Sequence, residues 1–230
     1  MVVVASSAST SKQYSLTATS ISRCKASLKA QNFQGPDFEC TFSFMIKDLG
    51  SKRKQKHSVV LQSVSTSSSE TSSVIGIGDI DLVAVSAPIH ICFGDPDLPP
   101  ADIQEETPSA SVVWESMRCQ DRAKLRGYEL SIDLGPSIGR KTFIWKRTHV
   151  GEHIGPVAKK LDFLNLKMED IETGRVVARF AHHPWVGWKR GQFEIVEDGG
   201  YGDSERWVEI VLLSGLTMLE YMRKVGGWSL

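Results

Sequence analysis

Basic residues recur at strand-like spacing in the second half of the chain, and they suggest an anion-binding chemistry. Where apolar and polar residues alternate, the apolar side chains turn to one face of a strand and the cations to the other. Neighbouring strands then bring several cations within cross-strand reach, and Arg and Lys donors match phosphate oxygens well. The predicted anion-binding residues are Lys146, Lys167, Arg175 and Arg179 on the strands, with Lys189 and Arg190 on the loop that follows.

This prediction depends on which residues face the interior of the sheet. The residues taken as inward-facing are Phe143, Trp145, Leu164, Leu166, Met168, Val176, Ala178 and Phe180. Asn165 and Val177 then face outward with the cations. The same face also carries Glu169, Asp170, Glu172 and Glu194. The cations are therefore either a phosphate-binding patch or members of exposed ion pairs, which contribute about 0–1 kcal/mol each.

A second basic group, Lys52, Arg53, Lys54 and Lys56, falls in a predicted hairpin tip. It could contact lipid headgroups or act as a nuclear import signal. A solvated turn, offset by the carboxylates of residues 95–106, is the plainer interpretation.

His182 and His183 are the residues that come nearest to a metal motif. Neighbouring strand residues point to opposite faces, so the pair cannot easily chelate one ion. His149 and His153 have no acidic or cysteine partner at ligand spacing, and we expect no metal and no cofactor. Trp185 and Trp188 are interpreted as lid residues over one end of a barrel, or as membrane-interface residues.

The chain contains no recognisable catalytic motif. G-x-S-x-G, H-E-x-x-H and P-loop patterns do not occur, and the four cysteines lack metal or redox spacing. Gly76 and Gly78 lack the rest of a dinucleotide loop and fit a bulge or a close backbone approach in a strand. We therefore predict a protein that is not an enzyme.

The composition is that of an ordinary globular protein without a global electrostatic field. Lys plus Arg and Asp plus Glu both number 27, so overall charge would not attract nucleic acid or anionic membranes. The first acidic residue is Asp37, after a start rich in Ser and Thr. Residues 1–36 are predicted to be a disordered tail, with an organelle transit peptide as the alternative.

The elements that must position the cations are strands. About ten short runs with period-two alternation follow one another from Phe38 to Val196, without a helical βαβ rhythm. Meander spacing of this kind is typical of an antiparallel barrel or sandwich. The predicted strands are residues 38–46, 57–64, 74–85, 89–93, 111–118, 128–134, 140–148, 163–168, 175–180 and 191–196.

A run of apolar residues from Val208 to Met222 decides the architecture. On a helical wheel it is apolar on nearly every side, which is typical of an enclosed helix. A bilayer span needs about 20 residues, and Glu209 and Glu220 bracket this shorter run. Arg223, Lys224 and two glycines then favour a helix end. We predict an all-β fold, an antiparallel β-barrel of about 10–12 strands around a hydrophobic C-terminal helix.

Several short sequence motifs resemble those of the tubby C-terminal-like superfamily, which includes tubby proteins, phospholipid scramblases and LURP-one-related proteins. The motifs are "FIWKRT" at 143–148, the Thr173-Gly174 turn with "RVVARF", "GQFEI" at 191–195 and "VLLSGLTMLEYMRK" at 211–224. They are most similar to uncharacterised fungal members. The resemblance covers residues 140–224, departs at "AHHPWVGWKR", and is only architectural for residues 37–139.

The resemblance implies phosphoinositide binding or lipid handling and no shared catalytic residues. We therefore expect residues 37–230 to form one tubby-like barrel domain. Its expected function is non-enzymatic binding of anionic phospholipid headgroups or of a protein partner, in the cytoplasm or peripherally at a membrane, and not of nucleic acid. The alternatives are a membrane-associated, scramblase-like protein, in which the apolar helix enters lipid, and a purely structural or interaction protein.

Overall fold

A computed structural model describes residues 11–19, 25–42, 57–64, 72–80, 88–96, 112–121, 126–148, 165–183, 189–196, 200–201 and 205–226. Within these residues the chain forms twelve β-strands and one α-helix. The strands are β1 (Ser11–Ala18), β2 (Lys25–Ala30), β3 (Phe38–Phe42), β4 (Val59–Ser63), β5 (Val74–Ile80), β6 (Ile89–Phe93), β7 (Val113–Asp121), β8 (Arg126–Asp133), β9 (Arg140–Arg147), β10 (Leu166–Asp170), β11 (Val176–His182) and β12 (Lys189–Val196), and the helix is α1 (Glu205–Gly226).

The twelve strands of the described residues form one closed barrel. Each strand pairs antiparallel with its neighbours in sequence, and β1 pairs with β12 to close the ring. The predicted all-β barrel is therefore confirmed. Closure leaves none of these strands as an open sheet edge, and a closed barrel is the arrangement that removes edges altogether.

The prediction of a disordered tail over residues 1–36 is wrong where the structure describes that segment. Its strands β1 and β2 are integral to the barrel, with Tyr14, Leu16 and Leu28 buried in the core. The segment is rich in Ser and Thr, but it also has a period-two alternation. This alternation places the apolar side chains inward and the Ser and Thr hydroxyl groups outward. The predicted domain boundary at residue 37 consequently falls inside the barrel.

The other ten strands were predicted from alternation, and all ten are present. β6 has the predicted bounds, while β8 begins two residues earlier, at Arg126. The ends of two predicted strands, residues 43–46 and 81–85, lie outside the described residues. Short regular runs such as Ile89–Phe93 could be recognised as strands from their own residues, because each strand buries one face against the same lumen.

Helix α1 occupies the lumen of the barrel, as predicted, although it is longer than the predicted run. It has 22 residues, and it contacts walls on different sides. Trp145 of β9 donates from Nε1 to Ser214 Oγ at 3.0 Å, and the rings of Tyr128 and Tyr221 lie 4.9 Å apart. The buried apolar residues of the helix are Trp207, Val208, Ile210, Val211, Leu212, Leu213, Leu216, Met218, Leu219, Tyr221 and Met222.

Glycines on β5 let the helix approach the barrel wall. A Cβ added at Gly76 would lie 2.6 Å from Leu213 Cδ2, and one at Gly78 would lie 2.2 Å from Thr217 Oγ1. Real Cβ atoms essentially never come so close to another atom. The predicted close backbone approach is therefore confirmed, and its partner is the helix.

Two buried hydroxyl groups of the enclosed helix are satisfied by its own backbone. Ser214 donates to the carbonyl of Val211 and Thr217 to that of Leu213, at 3.3 and 2.7 Å. These bonds remove most of the cost of burying a hydroxyl. In the part of the chain that the structure covers, no helix combines the length and apolarity needed to cross a bilayer.

Candidate anion-binding surface

Three of the predicted cations form a straight row across the outside of the barrel. Lys167 of β10 is the direct cross-strand partner of Lys146 on β9 and of Arg179 on β11. We call these three residues the basic row. Their backbone neighbours Trp145 and Met168 are buried in the lumen, so the alternation turns the row outward as predicted. With strands about 4.8 Å apart, the row spans roughly 10 Å.

Carboxylates accompany the basic row on the same face. Glu169 Oε2 lies 2.6 Å from Lys146 Nζ, and Glu169 Oε1 lies 3.1 Å from Lys167 Nζ. Arg179 is the register partner of Glu194 on β12, with 3.3 Å between Nη1 and Oε2. The side chains are partly open to solvent, from 42% for Lys146 to 17% for Glu169. The predicted ion pairs are therefore present, and the row carries one more cation than these two acids neutralise.

The electrostatic balance at Glu169 favours its ionised form. Burial alone would raise the pKa of this carboxyl, but hydrogen bonds from Lys146 and Lys167 outweigh burial and hold the pKa below its ordinary value. Glu169 is thus negatively charged at neutral pH and bridges two ammonium groups. The bridge resembles the contact that each lysine would make with an oxygen of a bound phosphate.

The remaining predicted cations lie outside the row. Arg175 is exposed immediately before β11, and Arg190 is half-buried at the start of β12. Arg175 is four positions before Arg179, and Arg190 is four positions before Glu194, the register partner of Arg179. Four strand residues correspond to about 13 Å. The backbone of Lys189 belongs to β12, but its side chain lies outside the described residues. The second basic group, residues 52–56, also lies outside them.

Two outward assignments made from the sequence are wrong. Asn165 is buried, and its Oδ1 accepts from the backbone N–H of His182 at 2.8 Å. Val177 is buried as well, whereas Val176, assigned to the interior, is half-buried. A bulge accounts for the two valines: Met168 pairs with Ala178 and Glu169 with Val176, so Val177 has no partner and the alternation shifts. Leu164 lies outside the described residues.

The other two carboxylates of the predicted face have different roles. Asp170 is buried and accepts from Tyr201 Oη at 2.8 Å and from Thr173 Oγ1 at 2.9 Å. Burial would raise the pKa of Asp170, but these hydrogen bonds hold it below its ordinary value. Glu172 pairs with Lys141. Of the four carboxylates predicted on this face, Glu169 and Glu194 therefore lie against the row.

A polar cluster at the C-terminal end of α1 was not anticipated. Lys224 Nζ donates to Ser58 Oγ at 2.8 Å across 166 residues of sequence. The N–H of Ser58 donates to Asp79 Oδ1 at 3.3 Å, and His57 Nδ1 lies 3.0 Å from Asp79 Oδ2. These bonds tie the helix end to β4 and β5. No local pattern links Ser58 to Lys224, so the sequence offered no signal for this contact.

An ion pair within the helix completes this cluster. Glu220 is fully buried, and Arg223 donates to both of its carboxylate oxygens at 2.7 and 2.6 Å. Burial raises the pKa of Glu220 and lowers that of Lys224, so each charge depends on its partners. The i, i+3 and i, i+4 spacing of Glu220 to Arg223 and Lys224 was a sequence signal for these pairs.

The histidines that the structure describes include the predicted pair His182 and His183. His182 is the last residue of β11, and burial, aided by Arg190 and His183, lowers its pKa to about 4. Among the residues that the structure describes, no group of three or more His, Cys, Asp or Glu is placed to hold a metal ion. His149, His153, Trp185 and Trp188 lie outside the described residues.

Three comparisons with known proteins were made, and none gave a match. No protein-family description, curated protein or solved structure matches the chain. The resemblance to the tubby-like superfamily therefore remains a prediction that is based on short sequence motifs.

Proposed function

We propose that this barrel is an intracellular, non-enzymatic binding domain that recognises anionic phospholipid headgroups through the basic row. The observation that carries the proposal is the register of Lys146, Lys167 and Arg179, which presents three cations side by side on adjacent strands. Strand residues hold such a group in fixed positions, so binding a phosphate orders less of the protein than a loop would require.

The surroundings of the row support a surface ligand. The lumen is filled by α1 and by the aromatic residues packed on it, which leaves little room for a substrate inside the barrel. A membrane surface needs no cavity, and each Lys or Arg near an anionic bilayer contributes about 1 kcal/mol to binding. Polyvalent phosphoinositide headgroups, which the tubby-like resemblance implies, are the first ligands to test.

The decisive experiment reverses the charge of the whole row. The variant Lys146→Glu/Lys167→Glu/Arg179→Glu should bind vesicles of phosphatidylcholine with a phosphoinositide at least about 100-fold more weakly than the native chain, since three contributions of about 1 kcal/mol are lost. Flotation of the vesicles measures the bound fraction. The neutral variant Lys146→Gln/Lys167→Gln/Arg179→Gln guards against misfolding by charge repulsion with Glu169.

A matched control separates the row from net charge. Lys25, Lys29 and Arg118 are exposed on β2 and β7, and replacing all three by Glu changes the net charge equally. The proposal expects this control to bind nearly as well as the native chain. Equal losses in both variants would indicate non-specific attraction, and a native chain that ignores anionic vesicles would reject the lipid proposal and leave a protein partner to be sought.

The scramblase-like alternative needs α1 to leave the barrel. That movement would expose the apolar lumen residues of the wall and break the bonds of Ser214 to β9 and of Lys224 to Ser58, the residue before β4. The enclosed position of α1 therefore favours a domain that binds at a surface with its helix in place.

A further inference from the structure

We propose that Glu169 is a built-in competitor of the basic row, which restricts binding to ligands that carry two or more negative charges. This inference rests on the proposed function and concerns the regulation of the same surface. Glu169 holds one carboxylate oxygen against Lys146 and the other against Lys167, at 2.6 and 3.1 Å. A ligand oxygen that approaches either ammonium group therefore comes close to this carboxylate, which repels it and competes with it for the ammonium N–H donors.

The location of Glu169 makes displacement feasible. It is adjacent in sequence to the buried Asp170, but its own side chain points outward and is 17% exposed. The ion pair is partly open to solvent, so a displaced Glu169 carboxylate can be hydrated by water. Its side chain can therefore rotate away without loss of the core packing beneath it, which Met168 and Trp145 provide.

Displacement nevertheless discriminates between ligands. A singly charged headgroup replaces one carboxylate by one anion of equal charge and gains little. A headgroup with two or more negative charges adds attraction to both lysines and to Arg179, whose partner Glu194 holds it by a longer contact of 3.3 Å. The row is thus selective for multivalent anions although it contains ordinary surface cations.

A purely structural ion pair predicts different behaviour. If Glu169 only neutralises its neighbours, then removing its charge lowers stability and leaves anion binding unchanged. If it competes with the ligand, then removing its charge increases binding, and most strongly for singly charged headgroups that the native chain rejects. The two roles can therefore be separated by a binding measurement.

The test is the variant Glu169→Gln, which keeps the shape and a hydrogen-bond acceptor. Its binding to phosphatidylserine vesicles should rise about fivefold, the effect of about one unit charge at an anionic surface. Glu172→Gln is the matched control, since it removes the same charge from a carboxylate that pairs with Lys141. Soluble pyrophosphate, added as a competitor, shows whether the row takes the phosphate group itself or needs the bilayer.

The outcomes distinguish this inference from the proposed function. A gain for Glu169→Gln without a gain for Glu172→Gln supports competition, also if the native chain alone shows no binding to phosphatidylserine. Equal binding of the native chain and Glu169→Gln overturns the inference while the proposed function stands. If Glu169→Gln and Glu172→Gln gain binding equally, then the change in net charge explains the gain, and the inference is overturned as well. Absence of binding to every anionic vesicle, by native chain and variants alike, overturns both.

Discussion

At the residue scale, two adjacent carboxylates on β10 show how the pleat assigns opposite roles to like side chains. Glu169 points outward and pairs with lysines at the surface. Asp170 is buried and accepts from the hydroxyl of Tyr201 and from the turn that follows. A surface pair is replaceable, whereas a buried carboxylate that loses its donors is costly. Only Glu169 is therefore suited to exchange with a ligand.

A pH dependence is expected from His182. Its pKa is lowered to about 4 in the folded chain, chiefly by burial and further by Arg190 and His183, against about 6.5 when unfolded. Above pH 6.5 both states are neutral and His182 has no effect. Between about pH 6.5 and 4 only the unfolded chain takes up this proton, so the free energy of unfolding falls as the pH falls.

Urea unfolding across this range measures the effect. The difference between the native chain and His182→Gln isolates it from carboxylates that titrate nearby. As the pH is lowered from about 6.5 towards 4, the free energy of unfolding of the native chain should fall more than that of His182→Gln. Parallel curves would show that His182 is not held neutral by the fold.

At the element scale, the helix and the barrel wall fit because small residues occur where they approach. Gly78 of β5 lies against Thr217 of α1, and Gly215 lies against Phe193 and Trp145 on the other side. A glycine usually weakens a strand or a helix. Here its lack of a side chain lets the helix sit within the lumen, so the local cost is offset by packing.

A double-mutant cycle tests this fit. Gly78→Ala should lower the free energy of unfolding by about 1–3 kcal/mol, because its Cβ would overlap Thr217. Thr217→Ala removes the overlapping Oγ1 and Cγ2 atoms, so the double variant should lose less than the sum of the single losses. Chemical denaturation gives the coupling, expected at about 0.5–3 kcal/mol. Additive losses would contradict direct contact between these positions.

At the scale of the whole molecule, the barrel depends on its first two strands. β1 lies between β2 and β12 and closes the ring. Without them, β3 and β12 would present unpaired backbone groups, and the core would lose Tyr14, Leu16 and Leu28. Open edges of this kind are templates for aggregation.

Truncation tests whether β1 and β2 are required for the barrel or are a dispensable tail. Removal of residues 1–30 should abolish the cooperative melting transition and produce aggregates in size-exclusion chromatography. Removal of residues 1–10, which leaves both strands in place, is the matched control. A chain without residues 1–30 that remained monomeric and melted at the native temperature would show that closure by β1 is unnecessary.

The candidate site was predictable from sequence only in part. Alternation placed Lys146, Lys167 and Arg179 on one outer face, and the register confirms their proximity. The bulge at Val177 and the burial of Asn165 were not predictable, because both depend on the partner strand. The pairing of Glu169 with both lysines was one of two open interpretations, since spacing alone does not show where a flexible side chain ends.

By itself, the sequence determined the elements with strong periodicity: ten strands, and a helix apolar on all sides that had to be enclosed. Periodicity is a local property, because each element must bury its own apolar face. Only the tertiary structure decided that β1 and β2 close the ring and that Lys224 ties the helix to Ser58. It also decided that two lysines share Glu169. These features join residues far apart in sequence or on neighbouring strands, and their geometry exists only once the barrel has closed.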